Sequence, residues 1–181
     1  MRKNLVAVVI AAVGSFMGMA PRANAAPGDS INFAMVRATG ATCLPAGAHG
    51  RVTVSDLGPV QNLHVELFDL TPKNEFTLFV TQHSARPFGL SWYQGDIVTD
   101  ENGRGVGDFT GIFSAETFIF GDSAIPMAHL AMWFADPADA AKAGCSSIVT
   151  PFDGDHEAGI LVLSTVNFPD NHGPLLNLGA E

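Results

Sequence analysis

The run "VQNLHVELFD" at residues 60–69 alternates without a break. Leu63, Val65 and Leu67 fall on one side, while Asn62, His64 and Glu66 fall on the other. A period of two is the pattern of a β-strand with one face toward a core and one toward water. Shorter or longer runs of this kind recur between clusters of Gly, Pro, Asn and Asp. They lie near 30–38 ("SINFAMVRA"), 50–56 ("GRVTVSD"), 74–82 ("NEFTLFVTQ"), 95–100, 105–113, 115–120, 127–135 ("MAHLAMWFA") and 158–167 ("AGILVLSTVN"). Such spacing predicts an all-β fold, an antiparallel β-sandwich of Greek-key or immunoglobulin-like type.

Two connections can be read more closely. "TDENGRG" at 99–105 predicts a hairpin loop, because Asn102-Gly103 readily takes the positive φ such turns need. In "DPADAAKAGC", Asp136 can cap a helix, Pro137 suits its first position and Gly144 ends it. That gives one short connecting helix. No repeat, low-complexity tract or linker divides residues 26–181, which predicts a single domain.

The start of the chain reads as an address. Arg2 and Lys3 precede an apolar run at 5–13, and Ala23 and Ala25 supply the small residues a signal peptidase reads. Residues 1–25 are therefore expected to be a signal peptide, cut after Ala25 because Pro27 disfavours the next bond. The apolar run is shorter than the ~20 residues a membrane span needs. The mature chain is expected to be secreted or periplasmic, with no membrane anchor.

The whole chain carries nine basic and eighteen acidic residues, a formal charge of −9. Losing Arg2, Lys3 and Arg22 with the leader takes the charge to −12. Nucleic acid and anionic lipid both require a positive surface, so neither is expected as a partner. The two cysteines, Cys43 and Cys145, sit in turn-rich segments of an exported chain and are expected to be bridged; the other reading is two buried thiols.

The stretch "RPFGLSWYQGD" at 86–96 is the leading candidate for a binding surface. Phe88, Trp92 and Tyr93 are gathered with Pro87, Gly89 and Gly95 in what reads as a loop, and Gln94 and Asp96 offer hydrogen bonds beside them. The competing reading has Phe88 and Trp92 plugging the end of the core. A second candidate is "TPFDGDHEAGILVL" at 150–163, where Asp153, Asp155 and Glu157 alternate around a histidine. Placed on an EF-hand template, this tract has Ala158 where the glycine belongs and Ser164 where the closing Glu belongs. It is better read as a tight turn, with a calcium site completed by another loop as the alternative.

Catalytic signatures are sparse. The six histidines show no HxH, HxxxH or HExxH spacing. "GLSWY" has Tyr93 where a nucleophile elbow needs its second glycine, and no glycine-rich phosphate loop is present.

The tracts "PFGLSWYQGDIVTDENGRG", "HLAMWFADPADAAKAGC" and "PFDGDHEAGILVLST" together resemble a family of small exported bacterial β-sandwich proteins, over roughly residues 60–170. That resemblance implies export and a bacterial source, and no particular chemistry. "LTPKNEFTLFVTQ" is similar to a strand–turn–strand corner of copper-zinc superoxide dismutase and of chordin-like domains. There, alternating histidines bind copper. Here those positions hold Thr77, Phe79 and Thr81, or Leu78 and Val80 in the other register, so the likeness supports a Greek-key sandwich and argues against that redox activity.

The expected function is non-catalytic: an exported binding or surface-interaction module for an extracellular protein or glycan, contacting it through residues 88–96, with no cofactor. The alternative is a cation-dependent extracytoplasmic hydrolase using the carboxylates near Asp153 and Asp155.

Overall fold

A computed structural model of the chain describes residues 29–113, 117–120, 123–151 and 157–178. The expected signal peptide and its cleavage site lie outside the described residues. So do Asp153 and Asp155.

The strands follow in order as β1 (Ser30–Arg37), β2 (His49–Asp56), β3 (Gln61–Phe68), β4 (Glu75–Thr81), β5 (Ser91–Val98) and β6 (Gly105–Gly111). After them come β7 (Thr117–Phe120), β8 (Ser123–Pro126) and β9 (His129–Phe134), then helix α1 (Pro137–Lys142). The short strands β10 (Thr150–Pro151) and β11 (Glu157–Ala158) precede β12 (Leu161–Ser164), and a 3-10 turn, η1, spans Pro174–Asn177. Eight strands form one sheet in the order β5-β4-β9-β12-β1-β2-β3-β6, and every pairing in it is antiparallel. The expected all-β, antiparallel fold with one short helix is present.

The sheet curls until its two edge strands nearly meet. The 99–105 hairpin joins them, and an isolated bridge, Thr99 to Gly105, begins to close the sheet into a barrel-like form. Aspartate chemistry shapes that corner. Asp100 accepts the backbone N–H groups of Arg104 at 2.9 Å and Asn102 at 2.8 Å, which holds its carboxyl below the usual carboxylate range. Gly103 has φ 71°, and an added Cβ there would collide with the Leu70 carbonyl oxygen. Beyond the bridge, the Phe109 ring lies where a side chain on Gly95 would stand, so the missing Cβ lets one edge fold over the other.

Inside the curl, β3 keeps the alternation its sequence promised. Leu63, Val65 and Leu67 are buried against Val52 and Val54 of β2, while His64 and Glu66 face outward to Asp108 and Arg51. Helix α1 is capped as its sequence implied: the Asp136 side chain accepts from the Ala138 N–H at 2.7 Å. The same helix leads into the Cys43–Cys145 disulfide, whose partners are 102 residues apart. It staples the loop after β1 to the segment after α1. A native disulfide suits an oxidising compartment.

Two strands do not follow the sequence reading. β5 begins at Ser91, not near 95, so the aromatic stretch at 86–96 is half loop and half strand. The expected strand at 158–167 is shorter and is preceded by the β10–β11 pair, in which Thr150 faces Ala158 and Pro151 faces Glu157.

Candidate functional site

A strand with one wet face should bury every second residue. β4 and β9 do not: all of β9 and every residue of β4 after Glu75 is buried. Their inner faces, Phe76, Leu78, Val80, Leu130, Met132 and Phe134, belong to the main core. Burial of the outer residues means that something packs on the outside of the sheet. The outer residues Phe79, Ala131 and Trp133 form a second, smaller cluster with Ala158, and Phe88 and Leu161 pack over it, partly buried.

The cluster is aromatic and continuous. Phe88 meets Trp133 edge-on with centroids 5.1 Å apart, Trp133 meets Phe79 at 5.5 Å, and Phe79 meets Tyr93 at 5.9 Å. Each contact is edge-to-face, the favoured arrangement of ring quadrupoles. The series runs from Trp133, 2 % exposed, to Tyr93, 55 % exposed. Its middle rings, Trp133 and Phe79, are buried, Phe88 is partly buried, and Tyr93 surfaces.

The strand register explains why Tyr93 emerges and Trp92 does not. On β5, Trp92 pairs with Val80 and Tyr93 with Phe79, and a bulge at this point lets Gln94 pass without a partner before Gly95 meets Leu78. Trp92 therefore takes Val80's side and packs against the main core. Its indole N–H donates to Gln94 Oε1 at 3.3 Å. Tyr93 takes Phe79's side, outward, and its hydroxyl donates to Asp96 Oδ2 at 2.9 Å. Partial desolvation, and then Asp96, push the Tyr93 phenol up to about 12.

Beside the aromatic series, a cavity of about 520 Å³ opens on the outer face. Trp133 forms its floor, and Arg86, Pro87, Phe88, Ser91, Thr150 and Pro151 form its walls. The wall at 86–88 belongs to the loop between β4 and β5, and Arg86 reaches across to Thr150 Oγ1 at 3.3 Å. Thr150 in turn donates to the Gly159 carbonyl at 2.9 Å, which fixes the opposite wall. The arrangement offers flat apolar faces, one guanidinium and two hydroxyls. It can hold a ligand by stacking and a few directed hydrogen bonds.

The structure thus brings Phe88 and Tyr93 onto one outer surface with Asp96 at its rim, and turns Trp92 to the core with Gln94 held against it. Sequence reasoning did not single out Arg86, Ser91, Trp133, Thr150 or Pro151. For Trp133 a signal existed, since "LAMWF" at 130–134 is apolar at consecutive positions where an open sheet face would alternate. The partnership of the 86–88 loop with Thr150 left no local trace.

Of the acidic trio, only Glu157 is described, exposed on β11. Among the described residues, no group of three or more His, Cys, Asp or Glu side chains is placed to hold a metal ion. No protein-family model matches the chain, and no curated protein matches it in sequence.

Proposed function

We propose that the protein is an exported, non-catalytic binding module that holds a glycan or a protein segment against the aromatic outer face of β4, β5 and β9. One observation carries this reading: an aromatic series that rises from a buried tryptophan to an exposed tyrosine beside an open cavity. Exposed aromatics add little to the stability of a free protein, yet they dominate a contact once a partner desolvates them. Arg86, Ser91 and Thr150 add hydrogen-bonding groups at the cavity wall, which suits the hydroxyls of a sugar or the backbone of an extended peptide. The Cys43–Cys145 bridge supports export, as does the signal-peptide pattern at 1–25. The resemblance to small exported bacterial proteins fits the same picture.

We also infer Greek-key connectivity, because β4, β5 and β6 run consecutively around the near-closed sheet while β3 lies beside β6.

The test is to probe printed arrays of polysaccharides and of extracellular proteins with the mature chain, and to assay each hit for soluble products. Saturable retention without turnover is the expected result. Calcium-dependent product release would overturn the reading in favour of a hydrolase built on the carboxylates near Asp153 and Asp155.

A further inference from the structure

The loop that walls the cavity is tied down from behind by one residue. Asp170 lies between β12 and η1, and its carboxylate accepts three hydrogen bonds from residues 83 and 84. They come from His83 Nδ1 at 2.6 Å, the Ser84 backbone N–H at 2.9 Å and the Ser84 hydroxyl at 3.2 Å. The Asp170 backbone carbonyl accepts a fourth, from His129 Nε2 at 3.0 Å. Because Nε2 carries that proton, His129 Nδ1 in the neutral ring accepts from Thr165 Oγ1, 3.0 Å away. Thus 165–170, β9 and the start of the 82–90 loop meet in one knot. Four residues downstream of its anchor, the same loop carries Phe88.

Two titratable groups of the knot are set against acid. His129 is fully buried, and that burial lowers its affinity for a proton. Asp170 is held below the usual carboxylate range by the Ser84 N–H and by His83. A cavity of about 350 Å³ lies against the knot, and among the described residues the ionisable side chains lining it are His83 and Asp170. Protonated His129 would carry its charge on a fully buried ring, where the Asp170 carbonyl and carboxylate favour the charge and the neighbouring His83 opposes it. Its Nδ1–H would also meet the Thr165 hydroxyl proton, which would have to turn toward the Leu130 carbonyl, 3.3 Å away.

We propose that Asp170 and His129 form an acid-opened clasp, which holds the 82–90 loop as the wall of the binding cavity at neutral pH and releases it in acid. The sign follows from the favoured neutral ring: the open state binds more protons than the closed state, so falling pH drives opening. This rests on the cavity being the ligand site, because only then does the clasp regulate binding. The result is capture at neutral pH and release in an acidified medium.

Hydrogen exchange read by mass spectrometry tests the clasp without any ligand. In the wild-type chain, protection of peptides from 82–90 and 165–170, corrected for intrinsic exchange, should fall at least tenfold between pH 7 and pH 5. Protection in β2 and β3 should hold. Asp170→Asn should expose 82–90 at both pH values, and His129→Gln should flatten the pH dependence. If His129→Gln does not fold, the wild-type and Asp170→Asn curves carry the comparison. Protection of 82–90 that ignores pH, or that falls only together with β2 and β3, overturns the clasp. Because no ligand enters, failure of the cavity to bind anything leaves a distinct signature: normal pH-dependent exchange with empty arrays.

Discussion

Neighbouring aromatics on β5 should respond in opposite ways to truncation. Trp92 is half-buried against the main core, whereas Tyr93 is 55 % exposed on the outer face. Truncating a fully buried large aromatic costs about 3–5 kcal/mol. Partial burial scales that to roughly 2–3 kcal/mol for Trp92→Ala. Tyr93→Ala gives up one edge-to-face contact with Phe79, worth about 0.5–1.5 kcal/mol. Its hydrogen bond to Asp96 is solvent-exposed and adds little. Urea or guanidinium unfolding of the two single variants, with the slope checked for constancy, reads the difference. Trp92→Ala should be the less stable by about 1–2 kcal/mol, and only Tyr93→Ala should lose ligand retention. A larger stability loss from Tyr93→Ala, or loss of binding from Trp92→Ala alone, would refute the alternation that assigns one ring to the core and the other to the site.

Tyr93 is the only tyrosine of the chain, so alkaline absorbance titration reads it alone; it should ionise near 12 rather than 10, and Asp96→Asn should bring it only partly back. Because the unfolded chain ionises first, stability should fall as pH rises above about 10. Reduction of Cys43–Cys145 releases a loop worth about 4.7 kcal/mol in the chain-entropy model, and the melting temperature should drop by roughly 10–20 °C. Gly103→Ala should cost more than about 1 kcal/mol by thermal or chemical unfolding, since positive φ and the Leu70 carbonyl both oppose the methyl group.

The parts of the fold legible in the sequence are those decided by neighbours along the chain. The alternation at 61–67, the Asp136 cap with Pro137 behind it, and the turn at Asn102-Gly103 are all local, and the structure has them where the residues put them. β5 was displaced because its own residues do not alternate cleanly. A bulge at Gln94 shifts the register, and Gly95 stands where a core side chain would otherwise be. The site was half legible for a similar reason. Clustering of Phe88 and Tyr93 is visible in the sequence, but their floor, Trp133, comes from a strand forty residues away, and its outward direction is set by pairing with β4. Asp170 was invisible. A lone aspartate in "NFPDNHG" reads as a turn former until the fold sets it beside His83 and Ser84.

We propose the outer aromatic face as the contact surface. It is tested most directly by comparing wild type with an Arg86→Ala/Phe88→Ala double variant on the same polysaccharide and protein arrays. Both side chains sit on the cavity wall away from the main core, so folding should survive, with a melting temperature within several degrees of wild type. Every saturable signal of the wild-type protein should fall at least tenfold. Undiminished binding by a folded double variant would contradict it and move the contact surface elsewhere on the sheet.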